Sequence, residues 1–214
     1  MKTLYFIRHG ETDYNRKWRY QHALVPLNAH GRIQARKLSK HFKKTPIDLI
    51  VASDTLRASQ TAEQLQKEVK APIEYSPALG EYRRASSLVN ASYFHPKSLY
   101  TIGMSIVWAA DPAWRFEDGE TAMELNHRAR RELKWLLNKN EQSIAIVSHR
   151  LFIAAMLSEL EDSCNQSFSM FMSDLLRANA MHNTGVTKVM WEDGDELSDN
   201  VVIEYRNNAE HLES

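Results

Sequence analysis

Arg8 and His9 stand side by side immediately after the apolar stretch Leu4-Tyr5-Phe6-Ile7, and Gly10 follows them. A second histidine, His149, closes another apolar stretch in Ser143–His149, and Arg57 lies just past a third, Asp48–Ser53. Guanidinium groups beside imidazoles suit an anion site that contains a nucleophile. Arginine offers a planar fork that grips phosphate bidentately and keeps its charge. An unprotonated imidazole nitrogen can attack phosphorus and divide a hard displacement into two easier ones. Neighbouring Arg8 and Arg57 should lower the His9 pKa by like-charge repulsion, which keeps that nitrogen available.

The elements that must position these groups are legible. Residues 2–8, 48–53 and 143–149 read as short buried strands, β-rich and apolar on both faces. Helical spacing follows in 35–42 through Ala35, Leu38 and Phe42, and in 55–69 through Ala58, Ala62, Leu65 and Val69. Thr121 with Glu124 forms a capping box that opens a helix to about Leu137. Further helices are expected after His149 and over much of 163–178. Two strands, 185–191 and 200–206, flank a loop near the end.

This alternation predicts an α/β fold: a three-layer sandwich with a mainly parallel central sheet and helices on both faces. Ligands of such sheets bind beyond the strand carboxyl ends, where the two histidines and two arginines fall. One domain is expected over 1–206, with an insertion over the sheet edge at about 83–118 and a frayed tail at 207–214.

Composition narrows the function. Among 214 residues, Lys+Arg and Asp+Glu number 27 each, so a basic nucleic-acid or membrane-surface binder is not expected. The single Cys164 suits a reducing compartment, and the apolar stretch before Arg8 is too short for a secretion signal. A cytoplasmic protein is expected, monomer or homodimer. The nine histidines show no metal-ligand spacing, so no metal and no cofactor are expected.

Residues 8–15 (RHGETDYN), 26–38 (PLNAHGRIQARKL), 53–62 (SDTLRASQTA) and 147–149 (VSH) together resemble the histidine phosphatase superfamily, in its phosphoglycerate mutase-like branch. The resemblance implies a phosphohistidine on His9, with Arg8, Arg57 and His149 holding the phosphate oxygens and Asn15 as a further contact. It implies Glu81 as proton donor. Gln21 is a further candidate ligand.

Departures from the family pattern carry information as well. Arg150 stands where the family usually has glycine, so it either points away or adds a third cation that would favour a second anionic group on the substrate. Arg83 and Arg84 follow Glu81 closely and could read such a group at the rim. The segment after Glu81 lacks the Tyr-Gly-rich continuation of phosphoglycerate mutases, which favours a phosphatase of small organic phosphates over a mutase. A non-catalytic phosphate-binding or interaction module is the alternative outside enzymes.

Overall fold

The structure, a computed structural model, describes residues 1–107, 111, 113–161, 181–192 and 200–213. In chain order the regular elements are β1 (Lys2–Arg8), α1 (Asp13–Arg16), α2 (Ala29–His41), β2 (Leu49–Ala52), α3 (Leu56–Val69) and β3 (Ile73–Tyr75). There follow α4 (Pro96–Val107), α5 (Ala122–Leu137), β4 (Ser143–Ser148), α6 (Arg150–Glu161), β5 (Val186–Trp191) and β6 (Val201–Asn208). The helix expected over much of 163–178 lies outside the described residues.

The strands form one six-stranded sheet in the order β3-β2-β4-β1-β5-β6. β1, β2, β3 and β4 are parallel, β5 runs antiparallel to β1, and β6 runs antiparallel to β5. The expected mainly parallel sheet is therefore what the chain builds.

Period-two alternation explains why both faces are covered. Leu4, Phe6, Val51 and Ile146 join a core with α5 and α6 through Leu133 and Phe152. Tyr5, Ile7, Ile50 and Val147 pack the other way, against Leu38 of α2 and Ala58 and Leu65 of α3. β1 thus lies between two helical layers, and its carboxyl end holds the same level as that of β4: Arg8 pairs with Ser148 in register.

Three local outcomes differ from expectation. α2 starts earlier than residue 35, because the Asn28 side chain accepts the Gly31 N–H and caps it at Ala29. The 83–118 segment contains α4, which has Pro96 at its first position, where the missing N–H costs nothing. That segment is held to residues 18–20 by an Arg19–Ser92 bridge and by backbone bonds from Tyr20 to Ala91 and from Tyr93 to Trp18. The tail is not frayed: β6 continues to Asn208, and a 3₁₀ turn at Glu210–Leu212 buries His211. Among the described residues no helix is long and apolar enough to cross a membrane.

Candidate active site

The site begins where β1 ends. The His9 N–H donates to Ser148 O at 3.0 Å, so the turn stays paired to β4 as the chain leaves the sheet. The Gly10 N–H donates to Thr61 Oγ1, whose hydroxyl in turn donates to Arg57 O at 2.8 Å. Thr61 therefore ties the β1 turn to α3, one turn beyond Arg57. Close approach explains two glycines here. A Cβ on Gly10 would sit 2.7 Å from Gly31 O, and one on Gly31 would sit 2.1 Å from Glu11 O.

His9 is 3% exposed, and its Nδ1 lies 2.7 Å from Gly10 O. A carbonyl only accepts, so Nδ1 carries the proton and Nε2 presents the lone pair. Arg57 donates from Nε to that Nε2 at 3.2 Å. Burial, then the charges of Arg57 and Arg8, hold the His9 pKa well below the usual imidazole value. The expected like-charge effect is present, but burial is the larger cause.

His149 is fully buried beside the nucleophile candidate, its ring centroid 5.1 Å from that of His9. Its Nδ1 accepts from Arg57 Nη2 at 3.2 Å, so the proton resides on Nε2, which faces Ser53 Oγ at 3.0 Å and Thr55 Oγ1 at 3.2 Å. Burial and then the Arg57 charge push its pKa well down also.

Arg8 donates from Nη1 to Met181 O, whereas its buried Nε has no partner among the described residues. A buried, unanswered guanidinium N–H is costly unless a ligand accepts it. Burial, joined by the charge of Arg150, brings the Arg8 pKa down to about 10, with Glu81 opposing. Burial does the same to Arg57, also to about 10. Both remain cations at neutral pH.

Glu81 enters from the loop after β3. Its Oε1 accepts three backbone N–H groups, from Tyr82, Leu151 and Phe152, two of them in the first turn of α6. Oε2 makes no hydrogen bond to a described residue, and the side chain faces the cavity. Arg128 on α5 secures this loop from behind. It donates to the carbonyls of Ala78 and Gly80 at 2.7 Å and grips Glu120 with Nε and Nη2 at 2.8 and 2.7 Å.

These groups open onto one cavity of about 1010 Å³. Arg8, His9, Arg57 and Glu81 line it, as do Asn15, Gln21, Arg83 and Arg150. Asn15 and Gln21 both meet the Thr12 hydroxyl, at 3.1 and 3.0 Å. Arg83 reaches Glu120 at 3.5 Å, and its guanidinium is otherwise exposed. Val89, Tyr93, Ile102 and Ser105 of the 83–118 segment form part of the wall, beside Trp18 and Tyr20. Trp114 is not on that wall, and Trp108 lies outside the described residues.

Sequence reasoning missed the supports. Thr61 sat inside a quoted motif without a role. Glu120 and Arg128 gave no spacing signal, since their pairing depends on how the loop folds onto α5. Asn183, which donates to His9 O at 3.0 Å, comes from the far end of the chain.

The chemistry is that of a buried neutral imidazole aimed into a cationic cavity beside a carboxyl group. The sequence matches the histidine phosphatase superfamily (branch 1) over residues 4–202. The chain belongs to that superfamily, and the expected enzyme class, a histidine-type phosphatase, stands with it.

Among its relatives is a probable phosphoglycerate mutase GpmB of Proteus mirabilis, 27% identical over 99% of this chain and 95% of that protein. An uncharacterized phosphatase PhoE of Bacillus subtilis is 39% identical, over 34% of this chain and 38% of its own length. The fold is shared with Bacillus stearothermophilus YhfR, with a TM-score of 0.81 at 21% identity over 99% of this chain and all (100%) of that one. It is shared also with a mycobacterial glucosyl-3-phosphoglycerate phosphatase, with a TM-score of 0.78 at 22% identity over 97% and 99% of the two chains.

Proposed function

We propose that the protein is a metal-independent phosphomonoesterase of small organic phosphates that works through a phosphohistidine on His9. One observation carries the reading: the Nδ1–Gly10 O contact of 2.7 Å fixes the tautomer and leaves the lone pair on Nε2, beside the Arg57 guanidinium.

In the proposed reaction the substrate phosphate accepts N–H bonds from Arg8, including its unpartnered Nε, and from Arg57. Asn15 and Gln21 supply further polar contacts. Arg57 Nε then turns from His9 to a phosphate oxygen and frees Nε2. Nε2 attacks phosphorus and the ester P–O bond breaks. The leaving oxygen takes a proton from Glu81 Oε2. Water next attacks the phosphohistidine, Glu81 takes back a proton, the P–N bond breaks, and inorganic phosphate departs. His149 acts through Arg57, holding its guanidinium from behind. The arginines supply the charge stabilisation that phosphoryl transfer chiefly requires. The proposed setting is the reducing cytoplasm.

Hydrolysis is favoured over the mutase activity named for the Proteus relative, since residues 82–94 lack the mutase-type continuation after Glu81. The test is phosphate release from a panel of phosphomonoesters with EDTA present, for wild type and His9→Ala. EDTA-resistant turnover lost in the variant is expected, with acid-labile, base-stable phosphate on the wild-type protein. Release that survives in His9→Ala, or none from any ester, would overturn the reading.

A further inference from the structure

Six arginines and four acids line the cavity, and Arg150 and Arg84 have no acidic partner among the described residues. Arg150 opens α6 and lines the cavity, yet it makes no hydrogen bond or ion pair with any described residue. A cation is disfavoured at a helix N-terminus, where the macrodipole is positive. Its charge also bears on Arg8 and His9, adding repulsion to a site already rich in arginine.

Arg84 is the second such group. Its guanidinium lies over the Tyr82 ring at 4.6 Å and the Tyr20 ring at 5.3 Å, and no carboxylate pairs with it among the described residues. The Tyr20 and Tyr93 rings meet at a tilt of 44° with centroids 4.5 Å apart, and the charges of Arg84 and Arg150 both reach the Tyr93 hydroxyl. Arg84, Arg150 and Tyr93 thus converge on one stretch of wall. Of the acids around the cavity, Glu81 is engaged with the first turn of α6, Asp118 with the Ser86 N–H, Glu11 with the Asn28 amide, and Glu120 with Arg128 and Arg83. Asp54, also in the lining, makes no hydrogen bond or ion pair with a described residue.

We infer that Arg150 and Arg84, with Tyr93, form a second anion subsite that selects phosphomonoesters carrying a further anionic group, a carboxylate or a second phosphate. This rests on the phosphomonoesterase reading for its choice of substrates. The tyrosine rings fix the Arg84 fork in place, which suits a planar bidentate acceptor. The cavity of about 1010 Å³ is at the upper end for small-ligand sites and leaves room for a substrate spanning both subsites.

The test measures binding without turnover. His9→Ala protein is titrated calorimetrically with two matched pairs: 3-phosphoglycerate against glycerol 3-phosphate, and fructose 1,6-bisphosphate against fructose 6-phosphate. In at least one pair the bis-anion should bind tighter by about tenfold or more, equal to ~1.4 kcal/mol. Arg150→Gln or Arg84→Gln on that background should bring the ratio close to one. The responding pair tells carboxylate from phosphate. Equal binding within both pairs, or a preference that survives both substitutions, overturns the subsite. A preserved preference in a protein whose wild type releases no phosphate would sink the hydrolase reading alone.

Discussion

Arg57 is hydrogen-bonded to both buried histidines at once, through Nε to His9 Nε2 and through Nη2 to His149 Nδ1, each at 3.2 Å. Both imidazoles are therefore acceptors toward the same guanidinium, and both are neutral. In the proposed mechanism the resting nucleophile is thus masked by the group that binds its target. Phosphate would unmask it by offering Arg57 better acceptors, which would link anion binding to activation.

A lysine at position 57 would keep the charge but could not span two imidazoles. Arg57→Lys should lower kcat/KM by about 100-fold or more, within the range for removing one aligned donor. His149→Asn should be strongly non-additive with it in a double-mutant cycle, because the two side chains share a hydrogen bond. Simple additivity of the two losses would show that His149 contacts the substrate directly.

In the proposed mechanism Glu81 protonates the leaving oxygen from Oε2, so its removal should matter most where that oxygen is a poor leaving group. Glu81→Gln is expected to cost roughly 10²–10⁴-fold in kcat on alkyl phosphates. It should cost far less on p-nitrophenyl phosphate, whose phenolate leaves without help. An equal loss on both would assign Glu81 a purely structural part.

The Glu120–Arg128 pair holds the loop that carries Glu81. The Glu120 side chain is fully buried and that of Arg128 nearly so. Arg128→Ala should destabilise the protein by about 3–5 kcal/mol, since it strands a buried carboxylate and frees two loop carbonyls. At a temperature where the variant remains folded, kcat should still fall while the mono-anion KM changes little. Urea titration together with steady-state kinetics checks both; an unshifted midpoint would refute the anchoring role.

Gly31 admits no side chain while the β1 turn stays where it is, because a Cβ would meet Glu11 O at 2.1 Å. Gly31→Ala must move that turn, at a cost on the order of 1–3 kcal/mol. A chemical-denaturation midpoint equal to wild type would contradict it.

Acid should weaken the fold through its buried histidines. His9 and His149 have pKa values well below normal, and that of His211 falls to about 4, with burial the leading cause each time. The unfolded chain titrates near 6.5, so below that pH it binds protons that the folded chain refuses. Stability is then fully present above about 6.5 and is lost as the pH falls, for His211 over the range from about 6.5 to about 4. Melting temperatures at pH 7 and pH 5 should differ in that direction, ahead of most carboxylate titration. A melting temperature flat across this interval would mean that these imidazoles are protonated in the folded state.

Much of this was legible because the informative residues are local. Apolar runs ending in Arg8, Ser53 and His149 located the sheet and the crevice together, and the Thr121–Glu124 box located α5. What escaped was set by tertiary packing. α4 was hidden because its apolar side chains, Leu99, Tyr100 and Val107 among them, are exposed and so show no clean inward stripe. That Arg57 bridges His9 and His149 could not be read from order along the chain. The tail at 207–214 read as polar and loose, yet His211 reaches the Thr184 hydroxyl at 2.9 Å and anchors it.

The place of β1 in the sheet also governs when the protein can acquire activity. The proposed nucleophile, His9, directly follows β1, but the ladder partners of β1 are residues 143–148 and 186–191. Pairings so distant in sequence form late and slowly. A ribosome would release His9 well before residues 186–191 and leave it without its setting until they have emerged. Maturation of the site is thereby coupled to synthesis of that later strand, and a translation product interrupted before it would carry the motif without the folded site.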